Sequence, residues 1–117
     1  MGKSFEDLEV WKRSCRQALI IYELLKKTKD YSLKTQMERA AVSVPSNIAE
    51  GQERDSIPDF CRFLRISKGS NAELRTQIYL ATKLGLISTE KSTELTNESK
   101  QISKMLQGLI NSLSSDA

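Results

Sequence analysis

Residues 56–85 read SIPDFCRFLRISKGSNAELRTQIYLATKLG, and this stretch decides the fold. Ser56 can cap a helix, Pro58 in the first turn forfeits no N–H bond, and Asp59 suits the positive end of the helix dipole. Phe60, Leu64, Ser67, Asn71, Leu74, Ile78 and Ala81 then step alternately by four and three. That is the seam of one helix face. Phe63, Ile66, Leu80 and Leu84 flank the seam, and Gly85 supplies the stop. The spacing predicts a helix from Ser56 to about Leu84.

The pattern repeats on both sides. Leu33, Met37, Ala40, Val44 and Ile48 form the seam of a helix from about Leu33 to Arg54, with Ser32 as its cap. Pro45 lies inside it. A proline has no N–H for the Ala41 carbonyl and its ring crowds that turn, so a kink is expected there, with the apolar phase continuing to Ile48. Further back, a helix from about Asp7 to Thr28 carries two apolar rows. Leu8, Trp11, Cys15, Ala18, Tyr22 and Leu25 form the seam; Val10, Ser14, Gln17, Ile21 and Leu24, with Ile20, form an adjacent row whose surplus suggests a partner surface. Beyond Gly85, Ser88 or Thr89 starts a fourth helix with Glu90 in its first turn. Its seam is Leu95, Ser99, Ile102, Leu106, Leu109 and Leu113, and Ser112–Ala117 should fray. Helices of about 22 to 27 residues are roughly 33–40 Å long. Short connections make neighbours antiparallel, so the expected fold is all-α: a single-domain (residues 1–117), up-down-up-down four-helix bundle.

Composition narrows function. The chain has 117 residues, 38% hydrophobic and 28% charged, with 5 Gly and 2 Pro. It has no histidine and two cysteines. That removes the commonest general base and metal ligand, and two thiols alone cannot build a structural zinc site. No cofactor or metal is expected. Cys15 and Cys61 sit in or beside apolar seams, where a thiol behaves as a small hydrophobe. No apolar leader and no run of about 18 apolar residues is present, so a cytoplasmic protein with no membrane span is expected. Glu6 stands where an N-myristoylation motif beginning at Met1-Gly2 needs Ser or Thr. The net charge is +3, with 15 basic and 11 acidic residues in 1–84 against 3 and 4 in 85–117. Any positive face is therefore expected from the first three quarters of the chain.

Polar residues interrupt two seams. Ser43, Asn47, Glu50 and Arg54 share one face of the second helix, with Ser46 beside them. Ser67, Ser70, Asn71, Glu73 and Gln77 interrupt the third near Gly69, a residue that permits close helix approach. One reading is structural: Asn47, Ser70 or Gln77 would satisfy the carbonyl stranded by Pro45, and such pairs fix register. Another is a ligand pocket with acid–base work at Glu50 and Glu73; no nucleophile–base pair or phosphate-cradling glycine loop supports an enzyme.

The run Arg39-Ala-Ala-Val-Ser43-Val-Pro45-Ser46-Asn47-Ile48-Ala49-Glu50-Gly51, followed by Arg54, resembles the signature of the 23S rRNA intervening-sequence protein family. So do Phe5-Glu6-Asp7-Leu8-Glu9-Val10-Trp11 and Phe60-Cys-Arg-Phe63-Leu64-Arg-Ile-Ser67-Lys-Gly69-Ser70-Asn-Ala-Glu73-Leu74. The resemblance spans residues 5 to about 113; Ser67 stands where the family more often has Ala. It implies a bacterial cytosolic protein, a left-handed bundle and a ring-shaped homopentamer. Related accessory proteins of diversity-generating retroelements share the fold, bind nucleic acid and assist a reverse transcriptase. RNA or DNA and a reverse transcriptase are therefore the partners the resemblance implies.

Basic residues suit that implication. Lys12, Arg13 and Arg16 cluster on the first helix, Lys26, Lys27 and Lys29 crowd its end, and Arg62 and Arg65 are neighbours on the third, with Lys68 and Arg75 further round. A ring would repeat each weak phosphate contact and add avidity. Lys12, Arg13, Arg16, Lys27, Arg62 and Arg65 are the expected contacts, made to backbone or shape, since no aromatic-and-basic platform is visible. The competing reading is a scaffold that recruits a protein partner without touching nucleic acid.

Overall fold

A computed structural model describes residues 4–115 with their side chains and the backbone of Asp116. The readings made for Met1, Gly2 and Ala117 lie outside it. A 3₁₀ turn, Phe5–Asp7, leads into four helices: α1 (Glu9–Leu24), α2 (Tyr31–Gln52), α3 (Ile57–Lys83) and α4 (Thr89–Asp116). Among the described residues there is no strand, and no helix is long and apolar enough to cross a membrane. The long axis of 46 Å is set by α4, whose 28 residues span about 42 Å.

The caps act as the sequence chemistry requires at three of the ends. Ser56 Oγ accepts from Asp59 N at 3.2 Å. Gly85 adopts φ +78°, while Leu86 N donates to Ala81 O and Gly85 N to Thr82 O, a Schellman stop that a β-carbon would strain. Ser88 Oγ accepts from Lys91 N at 3.1 Å. At α2 the cap is Asp30, accepting from Leu33 N at 3.1 Å, instead of the expected Ser32. The helix thus begins at Tyr31, two residues early, with a carboxylate at its positive end. α1 is shorter than expected. It has no glycine stop, and its last turn tightens through Lys26 N to Glu23 O and Thr28 N to Leu25 O. α4 continues to Asp116, into the Ser112–Ala117 segment expected to fray.

α1 packs on α2 and α4, α2 on α3, and α3 on α4. Residue numbers rise on one helix as they fall on its neighbour. Ser67 Oγ donates to Val44 O, and Ser70 meets Ser43; Lys68 meets Gln107, and Arg75 meets Ser99. α2 and α3, and α3 and α4, therefore run in opposite directions. The core has two apolar clusters, one around Ile21, Met37, Leu74 and Leu95 and the other around Val10, Ile48, Leu64 and Leu106. Buried Ser14, Gln17, Ser67, Asn71, Gln77 and Ser99 complete the interior.

Several side chains lie elsewhere than the periodicity predicts. On α1, Val10, Ser14, Gln17 and Ile21 of the row assigned to a partner are buried together with Ala18 and Leu25, while Leu24 of that row is half-buried and Ile20 exposed. Tyr22 of the expected seam is exposed, and Trp11 and Cys15 are half-buried. Two rows of equal period differ by a rotation, and the buried hydrogen bond from Gln17 to Asn71 of α3 selects the one that packs inward. On α3, Ile66, Leu80 and Leu84 are exposed. On α4, Ile110 is buried where Leu109 was expected, and Leu109 is half-buried. α2 runs unbroken through Pro45. The donors expected at the Ala41 carbonyl act elsewhere: Asn47 Nδ2 donates to Ser43 O and Oγ, and Ser70 pairs with Ser43.

The close-approach glycine is Gly51, not Gly69. A β-carbon at 51 would meet Phe63 Cβ at 2.8 Å and Phe60 Cδ1 at 3.0 Å, whereas one at Gly69 meets nothing within 4 Å.

Candidate functional site

Of the signature residues, Arg39 and Ser43 line an open cleft with Tyr22, Glu38 and Val42, and Glu50 and Glu73 are not among its walls. Ser43 and Ser70 hydroxyls meet at 2.8 Å across the α2–α3 seam, with Asn47 half-buried beside them. Arg39, Glu50, Arg54 and Glu73 are exposed. Glu50 faces Arg54, at 3.3 Å, and not Glu73. Pro45 and Gly51 are buried. The stripe is thus an inter-helix hydrogen-bonded seam with a charged rim, as the structural reading has it, and Glu50 is not brought to Glu73 as the alternative ligand-pocket reading needs. Among the described residues no three of Cys, Asp and Glu gather as a metal site would need. Burial pushes the Cys15 thiol pKa up, away from the reactive thiolate.

The basic candidates divide. Arg13 is held by Glu98 through two hydrogen bonds, Nε–Oε2 at 2.9 Å and NH2–Oε1 at 2.6 Å. These bonds raise the Arg13 pKa and lower that of Glu98; burial opposes both shifts, and the charge of Arg16 adds to the lowering of Glu98. Arg62 lies over the Phe63 ring, 4.5 Å from its centroid, and 3.5 Å from Asp59. Arg54 lies over the same ring at 4.8 Å. Both guanidiniums are therefore partly engaged inside the chain. Arg16 is loosely placed, 3.7 Å from Glu9. Lys12, Lys27 and Arg65 are exposed and form no ion pair among the described residues.

Packing adds a cationic face that the sequence reading missed in part. Between Phe60 and Lys83 the cations Arg62, Arg65, Lys68, Arg75 and Lys83 stand against one carboxylate, Glu73. From Ser99 to Ser115, Lys100 and Lys104 stand against none. Arg65, Lys68 and Arg75 share one side of α3 at spacings of three and seven, and Lys100 and Lys104 share one side of α4. The Lys68–Gln107 and Arg75–Ser99 hydrogen bonds, 2.8 and 3.1 Å, place two of these cations across the α3–α4 seam. Lys100 and Lys104 lie in the quarter of the chain from which no positive face was expected. Their signal was the absence of acids between Glu98 and Asp116, and it has meaning only once α4 is laid against α3.

Residues 6–108 match the family model of the 23S rRNA-intervening sequence protein. The chain belongs to that family. A crystal structure at 1.70 Å of a protein of unknown function from the S23 ribosomal protein family of Bacteroides thetaiotaomicron is similar to this intervening-sequence protein. The identity is 27% and the TM-score 0.81, over 86% of this chain and 97% of that one. No curated protein matches the sequence. Neither the family nor the solved relative is described by an enzymatic activity.

Proposed function

We propose that this intervening-sequence family protein is a non-enzymatic, cytoplasmic RNA- or DNA-binding protein that acts as a homo-oligomer, a homopentameric ring. The observation that carries the reading is the excess of cations between Phe60 and Lys83 on α3 and between Ser99 and Ser115 on α4, where seven basic side chains stand against Glu73 alone. Phosphate backbones bind through such excess, and each neutralised phosphate steepens the salt dependence. Repetition around a ring would add contacts too weak to hold singly.

The test is fluorescence anisotropy of a labelled single-stranded RNA between 50 and 200 mM salt, with the mass of the protein read by light scattering. Binding should weaken steeply with salt. Arg65→Gln with Lys104→Gln should lower the slope of log K against log[salt] by roughly 1.4, about 0.7 per lost phosphate contact on a single strand. Salt-insensitive binding, or none at 50 mM, refutes it.

A second reading has its own observation. Tyr79 (60% exposed), Leu80 and Leu84 (63%) lie open within two turns at the end of α3, and grouped apolar exposure of this kind marks interaction surfaces. That favours a scaffold for a protein partner such as a reverse transcriptase. Stable capture of that partner, with no salt-sensitive RNA binding, would replace the first reading.

A further inference from the structure

Among the described residues, two buried side-chain polar atoms lack a hydrogen-bond partner, Gln17 Oε1 and Gln77 Oε1. Gln17 is 1% exposed, and it lines a cleft of about 340 Å³ between α1 and α4. Its amide orientation follows from the donors behind it. Arg75 can only donate, and its NH1 reaches Ser99 Oγ at 3.1 Å. The Ser99 hydroxyl proton is then directed to Asn71 Oδ1 at 3.1 Å, and Asn71 Nδ2 donates to Ser99 O at 2.7 Å. Asn71 Oδ1 thus faces Gln17 as an acceptor, and Gln17 must present Nε2 to it, at 3.3 Å. The Gln17 oxygen is left over, a buried acceptor of a kind that proteins normally satisfy.

The rest of the cleft describes what would satisfy it. Ile20 and Leu95 supply apolar wall. Arg13 is taken by Glu98, and Lys91 by Glu94 at 3.0 Å. Arg16, 61% exposed with only the long contact to Glu9, is the least committed charge at the cleft. An occupant therefore needs an N–H donor, a flat apolar body and an anionic group. The volume lies at the low end of the roughly 300–1,000 Å³ usual for small-ligand sites.

We propose that this cleft takes one unstacked nucleotide. A base-edge N–H donates to Gln17 Oε1, the base lies against Ile20 and Leu95, and the phosphate meets Arg16. The proposal rests on the nucleic-acid reading above and deepens it. Single-stranded RNA offers such splayed bases, and α4 is the wall shared by the cleft and the cationic face.

The experiment follows the Gln17 side-chain amide by ¹H–¹⁵N NMR while the full chain is titrated with UMP, AMP, a single-stranded ten-nucleotide RNA and, as a non-nucleotide amide carboxylate, N-acetylglycine. Binding of the RNA to Ile20→Trp, which fills the cleft from a half-exposed position, and to Arg16→Gln is measured alongside. A saturable shift of Gln17 with RNA and mononucleotide, and affinity for RNA lowered roughly tenfold in Ile20→Trp, supports the proposal. RNA binding equal in wild type and both variants, with Gln17 unmoved, overturns the cleft and leaves the nucleic-acid reading standing. Mononucleotide binding without RNA binding keeps the nucleotide site and overturns the polymer as its source. N-acetylglycine binding as well as UMP makes the site one for peptide carboxylates and overturns the nucleotide. No shift with any probe overturns the site.

Discussion

Replacing Gly51 by alanine puts a methyl group into the tightest contact between α2 and α3. The new carbon would lie 2.8 Å from Phe63 Cβ, 3.0 Å from Phe60 Cδ1 and 3.2 Å from Phe60 O. Favourable carbon–carbon contact begins near 3.5 Å, so the first contact is about 0.7 Å too short. Phe63 Cβ and Phe60 O belong to, or are fixed on, the α3 backbone. The strain cannot be relieved by turning a side chain, and the helices must part. Overpacking of this kind costs about 1–3 kcal/mol. Alanine returns about 1 kcal/mol of helix propensity. With a backbone that cannot yield, the upper part of that cost applies, and a net loss of up to about 2 kcal/mol is expected. Gly69→Ala is the matched control, because the same methyl there meets nothing within 4 Å, and it should gain up to about 1 kcal/mol. Urea unfolding of both variants, at unchanged m, reads the two signs directly. On heating, each kcal/mol moves Tm by roughly 4 °C in a domain of this size. A Gly51→Ala protein as stable as wild type would refute the close-contact reasoning. A concentration-dependent loss in Gly69→Ala would show that a second copy covers that face.

Two further outcomes test the polar contacts. Because Arg13 holds the Glu98 pKa below its ordinary value, the pair stabilises fully above the unfolded carboxylate pKa of about 4.3, and the contribution is lost as pH falls through the lower folded value. Urea midpoints of wild type and Glu98→Gln should therefore differ at pH 7 and converge as the pH falls below about 4, and a double-mutant cycle with Arg13→Gln should give a coupling of about 1 kcal/mol. Asn71→Ala strands Gln17 Nε2 and deprives Ser99 of its partner, and should cost about 2–4 kcal/mol; Ser67→Ala, which removes a donor from a carbonyl already inside α2, should cost about 1 kcal/mol or less by the same assay.

The candidate site was less legible than the fold. Arg13 and Arg62 resemble Lys12 and Arg65 in one dimension, yet the first two are engaged by Glu98, Asp59 and the Phe63 ring. Whether a charge is free depends on carboxylates and rings from other turns and other helices, and Glu98 lies 85 positions from Arg13. Lys100 and Lys104 escaped notice because two lysines in a mildly charged helix carry no signal until α3 brings Arg65, Lys68 and Arg75 to the same side. The orphaned Gln17 oxygen was invisible for the same reason, since it exists only through the Arg75–Ser99–Asn71 chain.

By itself the sequence determined four helices and the chemistry of their ends at Ser56, Gly85 and Ser88, together with the core faces of α2 and most of α3. These depend on interactions reaching no further than four or five residues, and on a period that a single dominant stripe makes unambiguous. The tertiary structure alone decided which of two equal stripes on α1 is buried, that Gly51 and not Gly69 is the point of contact, and which cations remain free. Those alternatives have nearly the same local energy. They are separated only by neighbours that folding brings from distant positions, such as Phe63 against Gly51 and Asn71 against Gln17.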